Sequence, residues 1–336
     1  MKMMFKRRYF LLLAALVCCF GALLFFFFHE GRALLPEEEP AARYNIQVIF
    51  KALANPPDFW RVVEQGVQSA AAEYGVNCEV TAPPMEKDVD RQIELVREAI
   101  ARHPDAIILA ASDYERMAPV CREVTDAGIL LVTVDSDVHY DGRRCFVGTD
   151  NAAMGRKLAE LVDEAVPPGE KIGVMGHVEG ARTAVERRDG LLENVAGGPD
   201  RVAALDYCDG SEILSRQRTK EMLLAHPEIR CMVGLNESSA LGVANAIRDL
   251  GLEGEVGLIA CDSSEKQIQF MEQGTIQAFV IQNPFNMGYL SVSNTVSILQ
   301  GGTVPEVVNT DSVIIKKEDL YKKENQKLMF PFTSVE

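Results

Sequence analysis

The chain has 336 residues, more than one ordinary hydrophobic core holds and a suitable length for two domains of about 100–200 residues each. Its composition, 47% hydrophobic and 25% charged, is that of a globular protein and excludes a disordered or fibrous one. Residues 36–336 hold 29 of the 34 basic side chains but 48 of the 49 acidic ones, and their net charge of −19 excludes nucleic acid and anionic membrane surfaces as partners.

The N-terminus predicts a membrane anchor. Residues 9–28 carry no charge and follow four basic side chains within residues 1–8. At about 1.5 Å per residue, a run of this length reaches across a hydrocarbon core of roughly 30 Å. We predict a cytoplasmic basic tail at 1–8, an uncleaved single-pass signal anchor at 9–28 and a linker at 29–43, which places the remainder outside the cytoplasmic membrane. A cleaved signal peptide and a lipoprotein acylated at Cys18 or Cys19 are the two alternatives.

Strand-like and helix-like segments alternate from residue 45 onwards. Short apolar, β-rich runs predict strands at 45–50, 77–81, 106–110, 130–134, 145–148, 171–175, 201–207, 231–235, 256–260 and 277–281. Apolar residues at helical spacing predict helices at 59–74, 89–102, 117–127, 152–165 and 238–250. Because most of the strands are apolar on both faces, the alternation predicts an α/β fold with parallel sheets that helices cover on both sides. A pause near Asp150 divides the chain into two Rossmann-like lobes.

Polar and aromatic side chains come directly after the predicted strands. In parallel sheets, ligands bind beyond the carboxyl ends of the strands, so these positions form the candidate site. They are Asn55, Asp58, Phe59, Trp60, Ser112, Asp113 and Asp135 in the first half, and residues 182–188, Asn236, Glu237, Asp262, Gln282 and Asn283 in the second. Carboxylate, amide and guanidinium groups bind the hydroxyls of a neutral polyol, and aromatic rings cover its C–H face. For each single Asp or Asn, the alternative is a helix N-cap.

Motifs for catalysis and metal binding are missing from the sequence. It has no Gly-x-Ser-x-Gly, His-Glu-x-x-His or Gly-x-x-x-x-Gly-Lys segment, and its His and Cys residues follow no metal-ligand spacing. We therefore predict a binding protein that is not an enzyme and has no metal and no cofactor. The cysteines outside the apolar run are predicted to be buried free thiols, with a disulfide as the alternative. They are Cys78, Cys121, Cys145, Cys208, Cys231 and Cys261.

From residue 44 to about residue 320, the chain resembles the type I periplasmic binding proteins of the ribose-binding, lac-repressor-core class. The resemblance depends on the order and spacing of short motifs. In the first half these are NPPDFW at 55–60, DAIILAASD at 105–113, LLVTVD at 130–135 and VGTDN at 147–151. In the second half they are ERRDG at 186–190, GLNE at 234–237, GLIACD at 257–262 and VIQNP at 280–284.

The resemblance implies two lobes that close on a sugar and are joined by three hinge crossings, near residues 149–151, 282 and 309–311. It places the N-terminal lobe at 44–149 plus 283–309, the C-terminal lobe at 150–282 plus 310–325, and a tail at 326–336. Together with the strand-end pattern, it predicts one ligand-binding set. Its members are Asn55, Asp58, Phe59, Trp60, Asp113, Asp135, Arg182, Arg187, Asn236, Asp262 and Gln282.

The resemblance also implies individual roles. Phe59 and Trp60 correspond to the aromatic residues that stack on the sugar, and Asp135 corresponds to the acid that binds a pair of hydroxyls. The counterparts in the second lobe and the hinge are Asn236, Asp262 and Gln282.

Two departures from the ribose-binding pattern bear on the ligand. Ala110 and Ala111 precede Ser112 where those proteins carry an Asn, and Val185 stands where they carry an Arg. Arg182 or Arg187 is then the substitute for the missing guanidinium. The pattern favours a sugar or sugar-like polyol other than ribose.

Two roles fit an extracytoplasmic sugar-binding protein. The first is delivery of the sugar to the permease of an ABC importer, and this is the role we favour. The second is that of a membrane-anchored sensing subunit, which reports the sugar to a histidine kinase or a chemoreceptor. The anchor at 9–28 favours the second role mildly, since a lipoprotein signal is more typical of an importer subunit.

Overall fold

The computed structural model describes residues 43–53 and 58–329, apart from the side chains of Asp58 and Lys327. The anchor predicted at 9–28 and the predicted ligand-binding residue Asn55 therefore lie outside the described residues, as does most of the tail. Among the residues that are described, none of the helices combines the length and the apolar character that a membrane crossing requires.

Two six-stranded sheets form the framework. The strands are β1 Asn45–Ile49, β2 Asn77–Thr81, β3 Ala106–Leu109, β4 Leu130–Val134, β5 Cys145–Thr149, β6 Lys171–Gly176, β7 Val202–Tyr207, β8 Ile229–Gly234, β9 Gly257–Cys261, β10 Ile276–Ile281, β11 Val307–Thr310 and β12 Val313–Lys316. The first sheet has the order β11-β5-β4-β3-β1-β2 and the second β12-β10-β9-β8-β6-β7. Neighbours are parallel except β10 and β12, which are antiparallel. The α/β fold with parallel sheets predicted from the alternation is confirmed.

Ten α-helices accompany these strands in the described part of the chain. They are α1 Asp58–Tyr74, α2 Val89–Ala101, α3 Ala118–Asp126, α4 Asn151–Ala165, α5 Arg182–Asn194, α6 Glu212–Ala225, α7 Glu237–Asp249, α8 Glu265–Gln273, α9 Pro284–Leu299 and α10 Lys323–Met329. Short 3-10 turns lie at Gly198–Arg201 and Lys317–Asp319. The five helices predicted from apolar spacing are present within one residue at each end, whereas α5, α6, α8, α9 and α10 were not among those predicted.

Helices cover both faces of each sheet because successive strand residues point to opposite sides. In the first sheet, Val48 and Ile108 pack with Val63 of α1 and Met287 of α9. On the other face, buried residues of β1, β3 and β4 pack with α2 and α3. The second sheet is covered likewise, by α4 and α5 on one face and by α6, α7 and α8 on the other. This double cover leaves the carboxyl ends of the strands as the place where polar side chains reach a ligand.

The chain passes between the two sheets three times. The passages lie between β5 and β6, between β10 and β11, and between β11 and β12. The last is the shortest, with only Asp311 and Ser312 between two strands of different sheets. The lobe limits predicted from the resemblance, at residues 149, 282 and 309, stay a prediction.

Candidate ligand-binding site

A cavity of about 330 Å³ lies where the carboxyl ends of the two sheets face each other. Side chains from both lobes line it: Lys51, Phe59, Trp60, Glu86, Asp135, His177, Thr183, Arg187, Asn236, Glu237, Asp262 and Gln282. Four of these residues, Asp135, His177, Asp262 and Gln282, directly follow a strand, and Lys51 and Asn236 come two residues after one, as expected for a ligand site in a parallel α/β fold.

Seven of the eleven residues predicted from the sequence line this cavity. They are Phe59, Trp60, Asp135, Arg187, Asn236, Asp262 and Gln282. The others do not: Asn55 and the side chain of Asp58 lie outside the described residues, while Asp113 and Arg182 lie elsewhere. Their role in ligand binding stays a prediction.

Asp113 and Arg182 have contacts of their own at the edge of the cleft. Asp113 Oδ1 accepts hydrogen bonds from the backbone of Glu115 (3.0 Å) and Arg116 (2.8 Å), which fixes the turn after β3. Arg182 donates across the cleft to Asp137 Oδ2 at 3.0 Å. Neither side chain lines the cavity, and the Arg182–Asp137 bond holds the two lobes together beside it.

Asp135 and Asp262 occupy equivalent positions in the two sheets. Asp135 follows β4 with a φ of 61°, and Asp262 follows β9 with a φ of 65°. This left-handed conformation is uncommon for residues other than Gly and costs of order 1–3 kcal/mol at sites such as these. The backbone N–H of each donates to the next strand, to Val147 O at 2.9 Å and to Val280 O at 3.0 Å. The same backbone device thus aims one carboxylate into the cavity from each lobe.

Asp135 forms a buried ion pair with Lys51. The Lys51 Nζ lies 2.9 Å from Asp135 Oδ2, and the two side chains are only 3% and 5% exposed. The same ammonium donates to Thr183 Oγ1 of the second lobe at 3.4 Å. Because Lys51 contacts both lobes, it belongs to the closed arrangement of the cleft.

Asp262 is held by neutral donors. Gln282 Nε2 donates to its Oδ1 at 2.7 Å, and the backbone N–H of Glu237 donates to its Oδ2 at 3.0 Å. Burial raises the pKa of the Asp262 carboxyl above its ordinary value, while the charge of Arg187 and the bond from Gln282 act in the opposite direction. Both carboxylate oxygens of Asp262 are therefore held in place. Because the side chain is buried, few water molecules compete with a ligand hydroxyl for them.

Arg187 and Asn236 connect the cavity to the helices of the second lobe. Arg187, 2% exposed, donates to Asn151 Oδ1 and to the carbonyl of Leu235, each at 2.8 Å. Asn236 is the N-cap of α7, and its side chain accepts from the backbone N–H of Ser239 at 2.9 Å. Asn236 is thus a helix N-cap, the alternative role that the sequence allowed for each Asp or Asn, and the same side chain also lines the cavity.

The rings of Phe59 and Trp60 form one wall of the cavity, and Phe50 lies behind them. Trp60 lies edge-on to Phe59, with ring centroids 5.1 Å apart, and stacks on Phe50 at 5.0 Å. The Trp60 Nε1–H donates to Glu86 Oε1 at 3.0 Å. The Trp60 ring is therefore fixed from two sides, by stacking and by a buried hydrogen bond.

His177 is a buried imidazole at the end of β6. Its Nε2 lies 2.9 Å from Thr183 Oγ1, and its Nδ1 has no hydrogen-bond partner within the described part of the chain. Burial, together with the charges of Lys51 and Arg187, lowers the pKa of His177 well below its ordinary value. The ring is neutral at physiological pH and offers one nitrogen to a ligand.

This neutral His177 gives the protein a definite pH dependence. In the unfolded chain this imidazole binds a proton near pH 6.5, whereas in the native protein it stays neutral at that pH. The free energy of unfolding therefore falls as the pH drops below that value. One such proton amounts to about 1.4 kcal/mol per pH unit, so we expect a loss of about 2 kcal/mol between pH 6.5 and 5. His177→Asn should remove this part of the slope in denaturant titrations at several pH values, while His226→Asn on the surface should keep it. An equal slope in both variants would contradict the assignment.

Five lining residues were not in the predicted ligand-binding set: Lys51, Glu86, His177, Thr183 and Glu237. Thr183 and Glu237 were among the strand-end candidates from which that set was chosen. His177 directly follows β6, Lys51 comes two residues after β1, and Glu237 begins α7, so the strand-end rule applies to them. Glu86 lies several residues beyond β2, in the loop before α2, and only its contact with Trp60 brings it to the cavity. No local sequence pattern marks it.

Potential metal ligands and cysteines are scattered through the described residues. Within 43–53 and 58–329, no group of His, Cys, Asp or Glu side chains is arranged to hold a metal ion. The six cysteines in these ranges are free, and five of them are buried. Burial raises the pKa of the Cys231 and Cys261 thiols to about 12, which keeps them protonated and unreactive.

Comparison with known proteins gives consistent matches along most of the chain. The model of the periplasmic binding protein domain family matches residues 46–303. The D-allose-binding periplasmic protein of Escherichia coli is 27% identical over 291 residues, which cover 82% of this chain and 92% of that protein. The crystal structure of a sugar transporter from Clostridium phytofermentans is 38% identical with a TM-score of 0.78, covering 82% and 99%. A glucose-galactose binding protein from Geobacillus stearothermophilus is 29% identical, again with a TM-score of 0.78, covering 83% and 99%.

Proposed function

The chain belongs to the periplasmic binding protein domain family, and we propose that it binds a monosaccharide or a sugar-like polyol in the cavity between its two lobes. The donor set of the cavity carries this proposal. Carboxylates, amides and a guanidinium converge from both sheets beside the rings of Phe59 and Trp60, in a space of about 330 Å³. Hydroxyl groups and a C–H face are the features of a sugar that such a lining binds. The D-allose-binding periplasmic protein that the chain resembles binds a sugar, which supports this ligand class.

Asp135 and Asp262 are the central acceptors in this proposal. Each carboxylate accepts two hydroxyl protons more strongly than a neutral oxygen does, because hydrogen bonds to charged groups are worth about 1.5–3 kcal/mol. Arg187 and Gln282 supply donors to the hydroxyl oxygens, and Phe59 with Trp60 covers the apolar face of the ring. No residue in this set needs to change protonation for a neutral sugar to bind.

Binding and lobe closure are coupled in this proposal. A ligand that contacts Asp135 in one lobe and Asp262 in the other binds the closed state better than the open one, and so shifts the population to the closed state. Contacts across the cleft, such as Lys51 to Thr183 and Arg182 to Asp137, form only when the lobes meet. The ligand thus adds its own contacts to those that the protein makes with itself.

For the closed form, we propose delivery to the permease of an ABC importer, with the binding domain outside the cytoplasmic membrane. The solved relative from Clostridium phytofermentans is a sugar transporter, which supports this role. Sensing through a histidine kinase or a chemoreceptor is the second candidate, and only the uncleaved anchor predicted at 9–28 favours it. The reading frames beside the gene distinguish the two roles, since a permease and an ATPase accompany an importer and a kinase accompanies a sensor.

A thermal-shift screen of the full chain in mild detergent tests the function. The panel contains pentoses, hexoses, polyols and nucleosides, with amino acids at the same concentration as the control. A sugar present at about 100 times its dissociation constant adds about 2.7 kcal/mol to the free energy of unfolding. For a protein of this size, we expect a rise of roughly 5 °C or more in Tm. If no sugar raises the Tm, or if amino acids raise it equally, the proposed function is wrong.

A further inference from the structure

One carboxylate oxygen in the cavity has no partner. Glu86, 7% exposed, lies in the loop between β2 and α2 and accepts the Trp60 indole proton on Oε1 at 3.0 Å. Its Oε2 is buried and finds no hydrogen-bond donor among the residues that the structure describes. A buried acceptor without a donor costs about 1–3 kcal/mol, and more when it is charged. Because Glu86 lines the cavity, a ligand bound there can supply this donor.

Glu86 is also an acid without a cation of its own. The ammonium that affects it most is that of Lys51, which lies 2.9 Å from Asp135. Asp135 and Asp262 add further negative charge around it. Asp262 has two neutral donors and the nearby charge of Arg187. Lys51 therefore serves two carboxylates, and the cluster of Lys51, Asp135 and Glu86 lacks one positive charge.

The rings beside Glu86 are suited to a cation. The Trp60 indole donates a hydrogen bond to the Glu86 carboxylate, and the Phe59 ring packs edge-on against the Trp60 ring. Both rings line the cavity, but the Lys51 Nζ already lies over the Trp60 ring, 5.8 Å from its centroid, and Phe50 stacks on the same ring. The Phe59 ring is the one left to a ligand cation, and such a contact is worth about 0.5–2 kcal/mol when it is shielded from water. An unpartnered carboxylate beside this ring favours a primary ammonium over a hydroxyl.

The second lobe seals this position. Gly210, with a φ of +75°, approaches so closely that a Cβ added there would lie 3.1 Å from the Glu86 Cβ. Lobe closure thus removes water from around Glu86 and strengthens any charge–charge contact made there. In the same way, closure increases the cost of an unpaired carboxylate.

We propose that the ligand is an amino sugar or an aminopolyol whose ammonium group donates to Glu86 Oε2. The inference rests on the proposed sugar-binding function and specifies the ligand class. A neutral hydroxyl would satisfy the hydrogen bond at Glu86 but would leave the cluster one positive charge short. Burial raises the pKa of the Glu86 carboxyl, and a bound ammonium would oppose that shift.

Calorimetric titration of the full chain at pH 7 tests this inference. The ligands are D-allose, D-glucose and D-galactose, each beside its 2-amino-2-deoxy and 6-amino-6-deoxy derivatives. We expect at least one amino derivative to bind at least tenfold more tightly than its parent sugar. In Glu86→Gln, which keeps the size and the acceptor for Trp60, this preference should fall to less than threefold. Glu94→Gln, on the exposed surface of α2, removes one charge from the same lobe and should leave the preference unchanged.

The outcomes separate this inference from the function on which it rests. If the parent sugars bind and no amino derivative binds more tightly, the amino-sugar inference is wrong and sugar binding stands. If a preference for an amino derivative persists in Glu86→Gln, the ammonium lies elsewhere and the inference is equally wrong. If neither the sugars nor their amino derivatives bind, both proposals fail.

Discussion

Asp135→Ala should abolish ligand binding and also destabilise the protein. The substitution removes a carboxylate that we expect to accept two ligand hydroxyls, at about 1.5–3 kcal/mol for each charged hydrogen bond. The dissociation constant should rise by a factor of about 100 or more, measured by calorimetry with the best ligand of the thermal screen. The free energy of unfolding should fall by about 3–5 kcal/mol, because the buried Lys51 ammonium loses the carboxylate that lies 2.9 Å away and keeps only the more distant charge of Glu86.

A double variant distinguishes the two effects of Asp135. Lys51→Met with Asp135→Leu replaces the buried pair by apolar side chains of similar size, which often restores or increases stability. We expect this protein to unfold at a higher denaturant concentration than Asp135→Ala but at a lower one than the wild type, because Leu is strained at the left-handed φ of 61° of this position, and still to bind no ligand. Glu123→Ala, which breaks the exposed pair between Arg97 and Glu123 in the same lobe, should change neither property by much. If the double variant bound the ligand with wild-type affinity, Asp135 would not be a ligand-binding residue.

The elements predicted correctly from the sequence are those with a strong apolar pattern. Strand β3, with four buried residues in the sequence AIIL, and helix α2, with buried Leu95, Val96 and Ala99 on one side, are within one residue of the predicted ranges. Helix α5 was not predicted because its sequence, RTAVERRDGLLEN, is mostly polar and its buried face includes Arg187. Helix α9 is apolar around most of its circumference, so no stripe marks it as a helix.

The site was predicted as far as it depends on strand ends. Asp135, Asp262 and Gln282 follow β4, β9 and β10 directly, and the rule that ligands bind beyond those ends applies to them without further information. Glu86 and Thr183 reach the cavity only because loops and helices of opposite lobes meet there. Such contacts depend on tertiary packing, which a single sequence does not encode in any local pattern.

Gly66→Ala should destabilise the first lobe by about 3 kcal/mol or more. In an exposed helix the same substitution would stabilise by about 1 kcal/mol, since Ala has the higher helix propensity. In α1, however, a Cβ at Gly66 would overlap the carbonyl oxygen of Phe285 and approach the amide nitrogen of Tyr289 at 2.8 Å. Both are backbone atoms of α9, and no side-chain rotation relieves the clash. The packing cost exceeds the propensity gain, so the sign of the effect is set by the contact between the helices.

Gly288 provides the reciprocal test from the opposite helix. A Cβ there would overlap the carbonyl oxygen of Val63, so Gly288→Ala should have an effect of similar size. Gly169→Ala is the matched control, because no atom lies within 4 Å of the added Cβ. At about 2–4 °C per kcal/mol, we expect the Tm to fall by roughly 6–12 °C in the two helix variants and by less than about 2 °C in the control.

The contact between α1 and α9 also bears on binding. Helix α1 carries Phe59 and Trp60 in its first turn, and α9 begins two residues after Gln282, so a shift of either helix moves one side of the cavity. We therefore expect Gly66→Ala and Gly288→Ala to weaken ligand binding even at temperatures where both variants remain folded. Normal stability in the two variants would show that the helices separate without cost. Reduced stability with unchanged affinity would show instead that the aromatic wall is held by Phe50 and Glu86 alone.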